Sequence, residues 1–332
     1  MEPSQLRFAN LLCQARPVAL LREAAAKNKM GHAYLFRGPD GVGKKRTALT
    51  LAAYLNCKNP LPQDSCGRCP SCRKYVSGNH PDLILVETDG SPIKISQVRE
   101  LKQSLAFPPL EARVRVIILE DIHTMRREAA NSLLKTLEEP AAGNLLILTA
   151  DLAGEVLPTI LSRCQVIPFG PLDHQEVARV LMQENDLEES LALTLAAVAE
   201  GSLGRAKLLY QEDLLSLRRE VVEELLLGRL DQAETIGQVL RLSEKGAALK
   251  ENIYEFLALI RLWYRDLVLA AAGGPGDSLA NKDLALPLQA ASQQLSLDQL
   301  RAKLFRIDQA ERQLLRNCNR NLVLETLFFD LI

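Results

Sequence analysis

The sequence lacks a net charge, a long apolar run and a large share of aromatic residues. Lys and Arg number 40 against 41 Asp and Glu, and aromatic residues make up 5% of the 332 residues. The balanced charge, and the absence of a basic stripe with interleaved aromatics, leave no direct indication of nucleic-acid binding. No apolar stretch reaches membrane-spanning length, and the segment over residues 1–21 has charged or polar breaks throughout. We therefore predict a cytoplasmic protein without a secretory signal.

Internal repeats and low-complexity segments are also absent, and the composition is that of an ordinary globular protein. Apolar residues make up 47% and charged residues 24%, which excludes a disordered, collagen-like or fibrous chain. The length suggests two or three domains. The near-zero net charge conceals an asymmetry, because residues 1–168 carry 22 basic and 16 acidic side chains whereas residues 169–332 carry 18 and 25. The basic half is where we expect phosphate chemistry.

Short apolar runs alternate with helical patterns in the first half of the chain. The runs are Ala33–Arg37, Leu83–Glu87, Val114–Leu119, Leu145–Thr149 and Gln165–Phe169, and the helical patterns lie at about 18–30, 44–56, 96–106 and 127–139. This alternation predicts an α/β fold with a parallel sheet covered on both faces. After Pro171 only helical periodicity is found, with about three short helices over 173–210 and about five longer ones over 213–332. The predicted fold class is α/β followed by all-α.

A glycine-rich segment follows the first predicted strand and opens a helix. Residues 38–44 fit the first seven positions of the phosphate-loop pattern G-x-x-x-x-G-K-[ST], in which backbone N–H groups and the lysine surround phosphates. The eighth position, where a hydroxyl holds Mg²⁺, is Lys45. Thr47 does not replace that hydroxyl easily, because two residues along a helix correspond to a rotation of about 200°. Two interpretations remain: a degenerate site for ATP and Mg²⁺, or a glycine-rich turn without a ligand. The candidate nucleotide-binding residues are Gly38, Gly41, Gly43 and Lys44.

An acidic pair follows the apolar run that ends at Leu119. Active P-loop ATPases of this type place Asp, for Mg²⁺, before Glu, for the attacking water, whereas here Glu120 precedes Asp121. The charge is kept, but the reach changes by a methylene at each position, and a misplacement of about 1 Å can lower a rate on the order of 10²-fold. Together with Lys45, the transposition predicts a P-loop framework whose hydrolytic machinery is damaged.

Four cysteines are clustered with the spacing C-x8-C-x2-C-x2-C, namely Cys57, Cys66, Cys69 and Cys72. Four thiolates within so short a segment suit tetrahedral Zn²⁺, and four cysteine ligands leave no open coordination position. The predicted zinc is therefore structural rather than catalytic. An iron–sulfur cluster and four unrelated thiols are the alternatives. Disulfides are not expected in a cytosolic chain.

Several segments, in one order, resemble the clamp-loader branch of the AAA+ ATPases. They are HAYLFRGPDGVGKK, the cysteine cluster, the acidic strand end, LLKTLEEP and LSRC, and they span roughly residues 8–210. The resemblance implies an AAA+ P-loop domain with a zinc module at 57–72 over residues 1–169, a small helical lid over 170–210, and a helical collar for oligomerisation over 211–332. It also implies a component of the DNA polymerase III holoenzyme, a nucleotidyltransferase complex, that helps to load the sliding clamp onto primed DNA.

The resemblance assigns roles to two residues that spacing alone does not distinguish. Arg163 matches an arginine finger that reaches the ATP of a neighbouring subunit, where a guanidinium stabilises charge in the transition state. Without the resemblance, Arg163 is an ordinary surface arginine. Thr149, at a predicted strand end, matches the first sensor of the nucleotide, and a plain strand-end hydroxyl is the alternative reading.

Two subunit types of this family carry a zinc module of this kind, the gamma/tau ATPase and a type with little or no hydrolysis of its own. The degenerate loop, the transposed acidic pair and the segment His80-Pro81-Asp82 favour the second type. The implied partners are the gamma/tau and delta subunits and, through the complex, the sliding clamp and primed DNA. The main alternative is a gamma/tau-like subunit that hydrolyses its own ATP, and a nucleotide-sensing scaffold ranks third.

Overall fold

The chain separates into two compact units, Met1–Glu176 and Val177–Ile332. The computed structural model describes residues 6–12, 14–87, 92–151, 156–226 and 231–332. A parallel sheet with helices forms the first unit, and the second is helical. The predicted fold class, α/β followed by all-α, is thereby confirmed. The finer division into three parts at residues 169 and 210 stays a prediction.

Five parallel strands form the centre of the first unit. They are β1 (Ala33–Arg37), β2 (Leu83–Val86), β3 (Arg115–Leu119), β4 (Asn144–Ala150) and β5 (Gln165–Pro168), in the order β2-β3-β4-β1-β5. Each predicted apolar run is a strand, with bounds that agree within one residue. Strands β3 and β4 are buried along their whole length, because helices cover both faces of the sheet and leave no polar side for alternation.

Six helices precede, connect or follow these strands in the described part of the first unit. They are α1 (Ala15–Ala26), α2 (Lys44–Leu55), α3 (Pro70–Val76), α4 (Ile95–Leu105), α5 (Arg127–Glu138) and α6 (Pro158–Leu161). Helix α5 buries Ala129, Leu133 and Leu137, since their i, i+4 spacing places them on one face. Helix α3 was not predicted from the sequence, and Pro70 is its first residue. Proline is favourable at the first helical position, where its missing N–H needs no partner.

The strand order brings three functional segments to one edge of the sheet. Strand β4 lies between β1 and β3, with Leu35 beside Leu148 and Ile118 beside Ile147. The carboxyl ends of parallel strands meet at one edge, which is where open α/β sheets bind ligands. The segments that follow β1 and β3, and the end of β4, therefore lie side by side. They carry the phosphate loop, the acidic pair and Thr149.

The second unit is built from helices, and its core runs along α12. The helices are α7 (His174–Asn185, which begins in the first unit), α8 (Glu189–Val198), α9 (Leu203–Gln211), α10 (Leu214–Glu220), α11 (Gln232–Ala248), α12 (Ile253–Ala271), α13 (Ala285–Ser292), α14 (Leu297–Leu315) and α15 (Arg320–Leu331). A π-helical segment, Val221–Leu226, continues α10. Trp263 and Tyr264 are buried in this core. Among the described helices, none has the length and apolar character needed to span a membrane.

A buried polar network fixes the loop after α12. Arg218, with no exposed surface, donates to Asn281 Oδ1 at 2.6 Å and pairs with Asp283. Asp266 accepts from the backbone N–H groups of Ala280 at 2.9 Å and Asn281 at 2.8 Å. Burial lowers the pKa of Arg218, and the nearby carboxylate of Asp283 opposes that shift. These groups hold one another inside the unit, because a buried charge without a partner is strongly destabilising.

Candidate functional site

The phosphate loop joins β1 to α2 with backbone geometry that requires its glycines. Gly41 and Gly43 have φ angles of 72° and 97°, in the left-handed region that other residues rarely adopt. At Gly38 an added Cβ would lie 2.3 Å from the carbonyl oxygen of Phe169, so the loop passes directly against the end of β5. The three predicted glycines are therefore needed for the path of the loop, whether or not a phosphate binds there.

The ammonium of Lys44 is bound by its own loop. Its Nζ donates to the carbonyl oxygens of Gly38 at 2.7 Å and Pro39 at 2.9 Å, and to Asp40 Oδ1 at 2.8 Å. The side chain is 7% exposed. An ammonium has three N–H donors, and here each has a protein acceptor. A phosphate that binds Lys44 must therefore replace at least one of these contacts.

Lys45, at the position where the pattern requires a hydroxyl, reaches the acidic end of β3. Its ammonium pairs with Glu120 Oε1 at 2.8 Å and with Glu87. Burial lowers the pKa of Lys45, but the two carboxylates outweigh that effect and the pKa is raised. Burial also raises the pKa of Glu120, and the attraction of Lys45 offsets this only in part. A single ammonium is thus shared by two carboxylates.

Asp121 and Thr149 contact each other, as the strand order requires. Asp121 has φ 48° and ψ 49°, a left-handed conformation that Asp tolerates better than most residues. Its N–H donates to Thr149 Oγ1 at 3.1 Å, and Thr149 is buried. The hydroxyl predicted to sense nucleotide therefore holds the backbone of the acidic strand end. A role of Thr149 toward nucleotide stays a prediction.

Arg163 lies between α6 and the start of β5, at the end of the strands opposite to the phosphate loop. Its Nε donates to Glu138 Oε1 at 2.9 Å, and its Nη1 donates to the carbonyl oxygen of Thr159 at 2.8 Å and to Ser162 Oγ at 3.2 Å. Glu138, the last residue of α5, belongs to the LEEP segment. The Arg163 side chain is 30% exposed. The guanidinium is thus at the surface and is held by a neighbouring carboxylate.

The four predicted metal ligands come together in the fold. The Sγ atoms of Cys57, Cys66, Cys69 and Cys72 all lie within 4.8 Å of one another, and none of these cysteines forms a disulfide. A tetrahedral zinc with Zn–S bonds of about 2.3 Å separates its sulfur ligands by roughly 3.8 Å. The cluster therefore has the size and the donor set of a closed four-cysteine metal site.

Backbone amides support the sulfur atoms of this cluster. The N–H of Cys66 donates to Cys57 Sγ at 3.3 Å, that of Cys69 to Cys66 Sγ at 3.4 Å, and that of Cys72 to Cys69 Sγ at 3.5 Å. Burial opposes ionisation of Cys66, but amide donors from Arg68 and Cys69 outweigh it and lower its pKa to about 6. Burial also opposes ionisation of Cys69, where amide donors again lower the pKa, whereas burial raises the pKa of Cys57 and Cys72. Hydrogen bonds to sulfur favour the thiolate, which is the form that binds metals.

The contacts that hold the segment between the cysteine cluster and β2 were not evident from the sequence. His80 stacks on Tyr75 of α3, with ring centroids 4.1 Å apart. Asp82 has no exposed surface and accepts hydrogen bonds at 2.8 Å from the backbone N–H groups of residues 110–112. It also faces Arg115 at 3.3 Å. The partners of the Asp82 carboxylate are 28 to 33 residues away in the chain, so no local pattern could signal them.

The topology and these sites define a P-loop module of the AAA+ class followed by a helical region. The phosphate loop follows β1, the acidic pair follows the strand two places away in the sheet, and β4 lies between them. Two family models match the chain. One, described as DNA polymerase III, delta subunit, matches residues 13–173, and the other, described as its C-terminal part, matches residues 212–332.

Individual relatives point to one subunit type. DNA polymerase III subunit delta' of Bacillus subtilis is 31% identical over 310 residues, covering 92% of each chain. The delta' subunit of Pseudomonas aeruginosa is 35% identical over 213 residues, covering 62% of this chain and 63% of its own length. DNA polymerase III subunit tau of Salmonella typhimurium is 32% identical over 318 residues, and the chain spans 47% of that protein. The chain belongs to the delta' family of DNA polymerase III clamp-loader subunits.

Proposed function

We propose that this subunit supports loading of the sliding clamp onto primed DNA by presenting Arg163 to ATP on an adjacent gamma/tau subunit. Its other partners are the delta subunit and, through the complex, the clamp and the DNA. Hydrolysis at its own phosphate loop is weak or absent. The delta' and tau relatives support a place in the clamp loader, and the position of Arg163 supports the finger.

The position of Arg163 just before β5, at the opposite end of that strand from the phosphate loop, is the observation that carries this proposal. Strand β5 begins at Gln165, two residues after Arg163, and its far end meets the loop where Phe169 lies against Gly38. The four-residue span from Gln165 to Phe169, at a rise of about 3.3 Å per residue, separates the start of β5 from the phosphate loop by roughly 13 Å. The guanidinium is moreover bound to Glu138 at the end of α5. An arginine placed so far from its own loop is suited to another subunit's nucleotide.

Engagement of ATP requires Arg163 to exchange its carboxylate partner for a phosphate. Glu138 accepts from both Nε and Nη2 of the guanidinium, and the two side chains are 30% and 47% exposed. Ion pairs this exposed contribute only about 0–1 kcal/mol. Pairing of arginine with a phosphate is charge-assisted and often bidentate. The exchange therefore costs little, and Glu138 holds the guanidinium until a nucleotide site is presented.

Substitution Arg163→Ala in a reconstituted clamp loader tests the finger. Because a finger contributes about 10³-fold or more at the site it serves, we expect ATP turnover and clamp loading by the complex to fall, with assembly intact by gel filtration. The matched control is Arg99→Ala, at an exposed arginine of α4, which should leave turnover unchanged. If the Arg163→Ala complex assembles and hydrolyses ATP as fast as the Arg99→Ala complex does, Arg163 is not the finger.

The remaining parts of the chain are assigned in the same proposal. The cysteine cluster holds a structural zinc, residues 170–210 form a helical lid, and residues 211–332 form a helical collar that packs with other subunits. The two family models end at residue 173 and resume at residue 212, which supports a distinct segment between them. Helices α7 to α9 account for that segment.

A further inference from the structure

The magnesium position of the phosphate loop does not fit a magnesium ion in this chain. Mg²⁺ requires oxygen ligands in nearly octahedral geometry, and the pattern takes one of them from a hydroxyl at the eighth position. That residue is Lys45, whose side chain offers only N–H donors. Thr47 is 1% exposed and lies about 200° away around α2, so its hydroxyl does not fill the position.

A positive charge is nevertheless present where the ion would be needed. Strands β2 and β3 are paired with Val86 beside Leu119, so the next residues, Glu87 and Glu120, lie next to each other. The Lys45 ammonium contacts both carboxylates, with Glu120 Oε1 at 2.8 Å. It therefore joins the first turn of α2 to the ends of two strands. Without a cation, like charges on neighbouring strands would repel.

We propose that Lys45 is the resident cation of this phosphate loop and takes the place of Mg²⁺ between α2 and the acidic end of β3. The ammonium is covalently tethered, so its effective concentration at the carboxylates is in the millimolar range or above. Mg²⁺ in addition loses its water reluctantly. The loop consequently needs no metal ion for its charge balance, and any phosphate group that it binds is bound without one.

Substitution Lys45→Thr converts this arrangement into a metal-dependent one and provides the first test. Removal of the ammonium leaves Glu87 and Glu120 unpaired and restores the hydroxyl of the pattern. In magnesium-free buffer we expect the thermal unfolding midpoint to fall by about 3 °C, and millimolar MgCl₂ should restore it. The wild-type midpoint should not respond to MgCl₂. Chelators are left out, because they would also remove metal from the cysteine cluster.

Two further variants separate this mechanism from a general effect of surface charge. Lys29→Thr removes an exposed lysine elsewhere in the first unit and, like the wild type, should not respond to MgCl₂. Lys45→Thr combined with Glu120→Gln removes the carboxylate that would serve the ion. We expect this double variant to lose the stabilisation by MgCl₂ that the single variant shows.

Binding of ATP with a fluorescent ribose label gives a second, independent measurement. Added MgCl₂ should leave the affinity of the wild type for this nucleotide unchanged, and a wild type that does not bind it should not begin to do so. The affinity of Lys45→Thr for the nucleotide should increase by about tenfold when MgCl₂ is added. Stabilisation of the wild type by MgCl₂ beyond the Lys29→Thr control, or magnesium-dependent nucleotide binding by the wild type, overturns the proposal. The proposal is also overturned if Lys45→Thr is as stable as Lys29→Thr and its unfolding midpoint does not respond to MgCl₂.

Discussion

Asp82 shows how one buried side chain organises a loop that is distant in sequence. Its carboxylate accepts three backbone N–H groups from residues 110–112 and faces Arg115. Arg115 in turn donates to the carbonyl oxygens of Ser104 and Phe107. These bonds connect the end of α4, the following loop and the start of β3. Burial alone would raise the pKa of Asp82, but the amide donors and Arg115 outweigh it and lower the pKa.

Substitution Asp82→Asn is expected to destabilise the chain by about 3 kcal/mol at pH 7, because it leaves Arg115 buried without its counter-charge. A carboxylate whose pKa is lowered by folding contributes stability above its unfolded pKa of about 3.9 and loses it as the pH falls through the folded value. The difference between variant and wild type should therefore be constant from about pH 7 to pH 5 and shrink only below about pH 4. Denaturant unfolding at each pH, followed by circular dichroism, measures this difference in the free energy of unfolding.

The matched control is Asp186→Asn, at an exposed aspartate with a left-handed backbone that Asn also tolerates. It should change the free energy of unfolding by less than about 0.5 kcal/mol at every pH. An equal effect of the two substitutions at pH 7 would contradict the structural role of Asp82.

At the scale of elements, helix α3 depends on the cysteine cluster at its start. The helix has seven residues, fewer than an isolated helix needs to be stable in water. Cys69 caps it, since its sulfur accepts from the N–H of Cys72. Tyr75 on the same helix stacks on His80. A metal bound by the cluster would therefore stabilise α3 and the His80 contact together.

Elemental analysis of protein purified without chelator should find one zinc and no iron per chain. Substitution Cys69→Ser removes one of the four ligands and is expected to reduce the zinc content below half and to lower the thermal unfolding midpoint. Cys164→Ser, at an isolated half-buried thiol, is the control and should retain full zinc. Full zinc in Cys69→Ser, or less than half an equivalent in the wild type, would rule out the four-cysteine assignment.

For the molecule as a whole, the expectation is an AAA+ chain without ATP turnover of its own. Lys44 is engaged by its loop and Lys45 stands at the metal position. The purified chain should release phosphate from ATP at the background rate, and Lys44→Ala should not change that rate. Substantial turnover that Lys44→Ala abolishes would instead favour the gamma/tau-like alternative. A coupled phosphate-release assay makes the distinction.

Most of the architecture followed from local sequence pattern. The strands at 33–37 and 144–150 were evident as apolar runs between helical segments, because both faces of a parallel sheet are buried. The glycines of the phosphate loop and the cysteine spacing were also readable, since each set lies within a short segment. Helix α3 was missed, because it has only seven residues and begins inside the cysteine cluster, where Cys69 caps it.

The sequence by itself determined the fold class, the family and the candidate residues, since these depend on periodicity and on motifs of a few residues. Only the tertiary structure decided which charges meet. The pairing of Lys45 with Glu87 and Glu120 joins residues 42 and 75 positions apart, and that of Arg163 with Glu138 spans 25. Such contacts depend on strand order and register, which bring distant strand ends together and leave no local trace in the chain.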